Sequence, residues 1–529
     1  MRLLCLALLM TAACATAGGP SKPPQPAWPA RVTPEGHVVG QVDANGVTSF
    51  LGVPYAAAPV GAARWSNADH PALHPPFTAA AYRLPCAQIP VPAGSDSLSQ
   101  GQLVASSEDC LYLNVWVPPH DPGERLPVMV WSHGGQHLRG ATSQYDGEQL
   151  ARLGRVVVVT VAYRLGPLGF LAHPALTAET AQRTSGNQAL FDHVQALSWL
   201  RANVADFAGD PDRITLFGES AGGATTCALL ASPLARGLFH RAILMSGPCV
   251  GDDHTPTLAE REAFGRGLAE ALGCKQDDLT AELACMRSKP VDEVMTAIPL
   301  ANVLGDDGKG ATYRFNLDHV MLLLSPRAAL AHGDIPKIPV MLGTVDDEMG
   351  RHVGGLGVQS PDDFRDHLKK EWPAHADRIL AAYPISVPAD IPRQLAAVYS
   401  DWAMTCPARR DARALAAAGS PTFLYRFRRA PNILGGKAGS FHGSELAYLF
   451  PSVFNNSSFV QDDNDRLLTA TMIGYWSRFA ANGDPNGAGA PTWPRYDGRD
   501  WHLDLDVESR MGARLRKDPC DLWDSIPGP

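Results

Sequence analysis

The 529-residue chain has no run of basic residues, and its formal net charge is −9. Phosphate binding depends on clustered Lys and Arg, so no nucleic-acid partner is expected. No C-x-x-C and no Cys/His cluster at metal-ligand spacing occurs, which argues against a zinc site. Past the N-terminus the apolar runs are only strand-sized, as at Val156–Ala162, so no transmembrane segment is expected. Internal repeats and an obvious central linker are also missing. With 45% hydrophobic and 19% charged residues, the composition is that of a globular chain and excludes large-scale disorder. The length alone permits one very large domain or two to three ordinary ones.

The first residues read as a targeting segment. Arg2 supplies a short positive region, Leu3 to Ala13 is apolar, and Ala15-Thr16-Ala17 offers a small-x-small cleavage site. Residues 1–17 are therefore expected to be a signal peptide, and the Gly/Pro-rich residues 18–30 a flexible lead-in. A second reading attaches lipid to Cys14 after Ala12-Ala13. Against it, Thr11 stands where such a site prefers Leu. Either reading makes the protein secreted or periplasmic and makes disulfides permissible. Of ten cysteines, Cys5 and Cys14 lie in the leader; spacing alone cannot pair the other eight.

Along the chain, strand and helix patterns alternate. Pro127 to Trp131 and Val156 to Tyr163 are apolar runs suited to buried strands of a mostly parallel sheet. Ala189, Leu190, Val194, Leu197, Leu200 and Val204 mark one face of an amphipathic helix. It is expected to end at the turn cluster Ala208-Gly209-Asp210-Pro211. Arg213 to Gly218 reads as a strand and Ala221 to Leu230 as a helix. Arg241 to Met245, Ile338 to Leu342 and Thr422 to Phe427 are further strands. This alternation implies an α/β fold with right-handed crossovers. Residues 251 to 330 are more helical and look like an insertion over one edge of the sheet.

Gly218-Glu219-Ser220-Ala221-Gly222 fits G-x-S-x-G. The pentapeptide alone is weak, but here it follows a strand and opens an apolar helix. A serine at such a turn needs small neighbours and stands exposed at the strand end. The Ala221 N–H then points at an oxyanion from the helix N-terminus. The blander reading, a serine N-cap, does not account for both flanking glycines. His133-Gly134-Gly135-Gln136 follows the Pro127 strand and matches the second half of an oxyanion hole.

With these pieces the sequence resembles the type B carboxylesterase/lipase family, which includes cholinesterases and bacterial para-nitrobenzyl esterases. The resemblance runs from about residue 31 to the C-terminus. It rests on Phe50 to Tyr55, Ser107 to Asn114, Tyr163 to Gly166 with Gly169 to Leu171, Gly186 to Asp192, Phe217 to Gly223 and Trp476 to Asn486. It implies one catalytic domain over 31–529, with an α/β-hydrolase fold: a mostly parallel central sheet flanked by helices, with helical insertions over the active site. It implies a Ser–Glu–His triad of Ser220, Glu348 and His442, oxyanion donors at Gly135, Gln136 and Ala221, and no metal or organic cofactor. Ser246 resembles the family's serine that bonds the acid, and Glu219 is expected beside it behind the triad. Asp346 and Asp347 rival Glu348 as the acid; the loop register favours Glu348. His133 and His137 are expected to shape the oxyanion loop. The implied disulfides are Cys86–Cys110, Cys274–Cys285 and Cys406–Cys520. Cys227 and Cys249 read as buried thiols, with a bond between them left open.

Four departures from the family pattern stand out. Gln136 replaces the third glycine of the oxyanion loop, Met349 a glycine after the acid, Ala162 an asparagine, and Ala208 a turn glycine. No catalytic group is lost. Cholinesterases hold choline on a Trp between the first two disulfide cysteines. Ala87 to Asp109 has no aromatic residue, so the expected substrate is a small neutral carboxylic ester, short to medium in chain or more specialised. Three other readings remain: a lipase, which needs a large apolar lid that the polar Ala93 to Gln102 does not suggest; a neuroligin-like binding protein, which would lack triad members; and an amidase or carbamate hydrolase using the same triad.

Overall fold

The computed structural model describes residues 30–33, 36–70, 77–88, 105–299, 313–433, 439–454, 459 and 461–526. The leader with Cys14, the lead-in up to residue 29 and the segment Ala93 to Gln102 lie outside the described residues.

Fourteen strands are described. A small sheet holds β1 (Ala30–Thr33), β2 (Gly36–Val39) and β5 (Phe77–Thr78). The large sheet takes β3 (Gln41–Val42), β4 (Thr48–Pro54), β6 (Tyr112–Val117), β7 (Leu126–Ser132), β8 (Val157–Val161), β9 (Gly209–Glu219), β10 (Arg241–Met245), β11 (Val340–Val345), β12 (Thr422–Phe427), β13 (Trp501–Leu505) and β14 (Arg510–Ala513). Their spatial order is β14-β13-β12-β11-β10-β9-β7-β8-β6-β4-β3. From β13 to β8 every pairing is parallel; the outer strands are antiparallel. This is the expected α/β-hydrolase architecture.

The central strands are mostly apolar because both faces of the sheet are covered. Along each, alternate side chains go to opposite layers. Val128, Val130, Leu216, Leu244, Leu342 and Leu424 pack with the helices Gln188–Asn203, Ala221–Ala231, Pro326–His332 and Cys406–Ala417. Met129, Trp131, Phe217, Ile243, Met341 and Phe423 face the other way, onto Glu148–Gly154 and the long helix Asp463–Asn482. The expected helical insertion is present as Leu258–Ala271, Leu279–Ser288 and Val291–Thr296. A second helical region, not anticipated from sequence, spans Pro361–Glu371, Ala376–Ala382 and Ile391–Ser400 around its own apolar cluster.

Two expectations need correction. Strand β9 starts at Gly209, inside the expected turn cluster, because Gly209 pairs with Leu126 before the register shifts. Cys227 and Cys249 are not free thiols but a disulfide, with Cα atoms 5.4 Å apart. Cys227 lies on the helix that packs against β10, and Cys249 follows β10, so a parallel-strand crossover brings them together. The other three pairings are as expected, closing separations of 24, 11 and 114 residues. Peptide mapping without reductant is expected to find Cys227 and Cys249 unlabelled by iodoacetamide. Replacing both by Ala should cost about 3 kcal/mol in denaturant unfolding.

Ala208 sits at φ +60°, a left-handed conformation that favours glycine, while its carbonyl accepts from Leu126 N at 2.8 Å. The Cβ strain there is unrelieved, so Ala208→Gly should raise stability by about 1 kcal/mol, measured as a higher Tm.

Candidate active site

In an open α/β sheet a ligand crevice forms at the carboxyl ends of strands where the order reverses. Here the chain goes from β7 outward to β8, then returns to the other side of β7 for β9. The loops after β7 and β9 therefore flank the crevice. They carry His133-Gly134-Gly135-Gln136 and Ser220. The strand ends are level, with Ser132 opposite Gly218, Met245 opposite Glu219 and opposite Gly343, and Val345 opposite Phe427. The acid loop after β11 and the histidine loop after β12 thus end at the same height.

Ser220 has φ 56° and ψ −123°, a strained conformation between strand and helix. Its N–H is held by the Met245 carbonyl at 2.9 Å. The turn is this tight because Gly222 lets the helix approach β7: a methyl group on Gly222 would lie 2.0 Å from the Ser132 carbonyl oxygen. The oxyanion loop reverses through positive φ at Gly135 (100°), Gln136 (62°) and His137 (60°). A methyl group on Gly135 would meet the Arg139 carbonyl at 2.1 Å. The N–H groups of Gly135, Gln136 and Ala221 have no acceptor among the described residues. Three free donors therefore line the loop and the helix start beside Ser220.

Behind them lie three buried imidazoles. His133 Nδ1 is 2.8 Å from Gly134 O, and its ring stacks on Tyr163 at 4.5 Å. His137 Nε2 lies 3.0 Å from both Ala221 O and Thr225 Oγ1. His193 Nε2 contacts Ser132 Oγ at 2.9 Å. Burial pushes His133 down to about 4 and His137 to about 3, and lowers His193 as well. All three are neutral at ordinary pH and serve as struts for the loop, as expected of His133 and His137. His193 and Thr225 are supports that no sequence signal singled out, whereas Tyr163 opens the signature Tyr163 to Gly166.

Of the three rival carboxylates, the structure separates the roles. Asp346 pairs with Arg426 at 3.3 Å. Asp347 accepts from the Gly350 N–H, and its own N–H bonds Ser440 O at 3.0 Å, joining the acid loop to the histidine loop. Glu348 is fully buried: Oε2 lies 2.5 Å from His442 Nδ1 and Oε1 accepts from Val345 N at 2.9 Å. Ser246 does not bond Glu348 as the family resemblance implied. Its hydroxyl donates instead to Glu445 Oε1 at 3.4 Å. Glu445, three residues past His442, is a buried carboxyl whose importance the sequence did not signal.

The other ring nitrogen, His442 Nε2, lies 3.3 Å from Glu219 Oε1, at ion-pair distance but without hydrogen-bond geometry. No hydrogen bond joins it to Ser220 Oγ in this structure; such contacts in unliganded sites are commonly loose. Three carboxylates thus surround one imidazole. Burial pulls His442 down, but Glu219, Glu348 and Glu445 outweigh it and push it up to about 10. Burial, reinforced by Glu348 against the opposing pull of His442, pushes Glu219 up to about 7. Burial, with Glu219 and Glu348, holds Glu445 well above the usual carboxylate range. Among the described residues no group of three or more His, Cys, Asp and Glu side chains is arranged to hold a metal.

A profile of the Carboxylesterase family matches residues 28–523. Among curated proteins the chain is 31% identical to a cocaine esterase of Homo sapiens, over 94% of this chain and 91% of that one. It is 33% identical to carboxylesterase 5A of Felis catus, over 90% of this chain and 89% of the relative. To a medium-chain fatty acyl-CoA hydrolase precursor of Anas platyrhynchos it is also 33% identical, over 94% and 92%. Matched along almost its entire described length and built on the corresponding sheet, the chain belongs to the carboxylesterase family of serine ester hydrolases.

Proposed function

We propose that Ser220 is the nucleophile, His442 the general base and Glu348 the acid that orients it, in hydrolysis of short- to medium-chain or more specialised carboxylic esters. The observation that carries this reading is the Glu348–His442 contact at 2.5 Å, level with a strained serine elbow and facing three free N–H groups. His442 takes the Ser220 proton as the oxygen attacks the ester carbonyl. Glu348 fixes the tautomer and steadies the imidazolium. The N–H groups of Gly135, Gln136 and Ala221 receive the oxyanion, each worth on the order of 3–4 kcal/mol in the transition state. The alcohol leaves with the proton from His442. Water, deprotonated by the same imidazole, then releases the acid. Ser246 and Glu445 support the histidine loop from behind.

Relatives named for cocaine and for medium-chain fatty acyl-CoA support a small to medium acyl group rather than a long one. The four disulfides favour an exported protein. On this reading residues 1–17 are removed as a signal peptide or Cys14 carries lipid, and residues 31–529 form one catalytic domain. No helix among the described residues is long and apolar enough to cross a membrane.

Hydrolysis of p-nitrophenyl acetate, butyrate, octanoate and palmitate tests the function. Turnover should peak at the short and middle chains, and Ser220→Ala should lower kcat by at least about 10⁴-fold. A peak at palmitate would make the protein a lipase; inert wild type, properly folded and oxidised, would make it a binding protein.

Glu219 sets the pH dependence. Its negative charge favours the imidazolium form of His442, and the base must be neutral to act. Glu219→Gln should therefore lower the pKa of His442 and move the acid limb of kcat/KM to lower pH. An unmoved or upward-shifted limb in the pH–rate profile would contradict this arrangement.

A further inference from the structure

The free N–H groups beside Ser220 come from two separate segments, the loop after β7 and the helix after β9. Parallel pairing brings those strand ends level, with Ser132 opposite Gly218. Beyond them the loop turns through three successive left-handed residues, Gly135, Gln136 and His137, two of which carry a side chain. An L residue in that conformation crowds its own Cβ against the backbone, so such a run persists only where its surroundings enforce it.

His137 is the last residue of the run and is buried. Its ring packs against both Phe170 and Phe315, with centroids 4.9 Å away in each case. Its carbonyl accepts from the Gly166 N–H at 2.7 Å. The edge of the ring is turned onto the elbow helix, where Nε2 lies 3.0 Å from Ala221 O and 3.0 Å from Thr225 Oγ1. A carbonyl oxygen only accepts, so the proton of this imidazole sits on Nε2 and the ring is the donor. Burial keeps the ring neutral, which leaves Nδ1 without a proton.

This bond crosses from the loop to the helix. His137 follows Gln136 directly, and Ala221 carries the free N–H on the helix side. One side chain therefore spans from one set of donors to the other. Among the described residues no other side chain of 133–139 hydrogen-bonds this helix; His133 turns back to its own loop at Gly134 O. Donors of this kind stabilise a developing charge only while their geometry is held.

We propose that His137 is a positioning residue that clamps the two halves of the N–H cluster at a fixed separation, Gly135 and Gln136 on one side and Ala221 on the other. The inference rests on the ester-hydrolase reading above and concerns how its anion-binding donors are held. His137 acts through the backbone and takes no part in proton transfer. With its N–H in place the left-handed run keeps the donors converging on one point; without it the run relaxes and the donors separate. A ground-state ester carbonyl carries little charge and gains little from these donors, whereas the tetrahedral oxyanion gains most. The clamp therefore acts on kcat and leaves KM nearly unchanged.

Two replacements, assayed on p-nitrophenyl butyrate, test it. His137→Phe keeps a ring against Phe170 and Phe315 but has no donor; His137→Gln carries an N–H near the place of Nε2. In His137→Phe kcat should fall about tenfold or more with KM within about threefold of wild type. Inhibition by an alkyl trifluoromethyl ketone, which Ser220 converts to a tetrahedral oxyanion, should weaken in parallel. His137→Gln should recover most of both losses. A kcat and inhibitor affinity within about threefold of wild type in His137→Phe would overturn the proposal, and so would equal losses in the two variants. Should His137→Phe not fold, the wild type still decides. Nitrogen-15 NMR of histidine-labelled protein, with His137 assigned by its missing signal in His137→Gln, should show a neutral Nε2–H tautomer at neutral pH. An Nδ1–H tautomer or an imidazolium there would also overturn the clamp. Wild type that turns over p-nitrophenyl butyrate, with Ser220→Ala inert, upholds the ester-hydrolase reading whatever the His137 variants do. Inert wild type removes that reading, and this proposal with it.

Discussion

The site depends on one strained turn. Ser220 must leave β9 and enter a helix within a single residue, at backbone angles that an ordinary side chain avoids. What holds it there is packing rather than local preference. The Met245 carbonyl from β10 grips its N–H, and Gly222 presses the helix onto the end of β7. Parallel pairing on both sides of β9 makes these neighbours immovable. The sheet thus supplies the energy that keeps Ser220 out of a relaxed conformation, and the same crossovers bring the His133–Gln136 loop beside it.

Electrostatics around His442 is the second organising feature. Burying Glu219, Glu348 and Glu445 near one imidazole is costly unless protons or positive charge compensate. The network answers by raising Glu445 well above the usual carboxylate range and by favouring the imidazolium form of His442. Glu348 alone has both oxygens engaged, by His442 and by the Val345 N–H. The three neutral histidines behind the oxyanion loop play an opposite part. They fill and brace a buried space without adding charge next to the three N–H donors.

Much of this was legible from residues alone. The period of the apolar runs located the central strands, in two cases to the residue: Arg241–Met245 and Thr422–Phe427. The glycines around Ser220 marked the elbow because only they fit its contacts. Strand β9 was mistaken for a turn at its start because Gly209, Asp210 and Pro211 carry turn chemistry locally, while a partner distant in sequence, Leu126, pairs the first of them. The helices between 361 and 400 escaped because their apolar faces pack on one another rather than on the sheet, within a region read only for its strands.

By itself the sequence determined the fold class and nominated Ser220 and the candidate triad, since these follow from local pattern and from residue types that few other turns accept. Tertiary structure alone decided what depends on distance between segments far apart in the chain. It chose Glu348 over Asp346 and Asp347 because only Glu348 reaches His442, and it joined Cys227 to Cys249 through a crossover. It turned the Ser246 hydroxyl to Glu445 rather than to Glu348, which only the packing of three separate loops could settle.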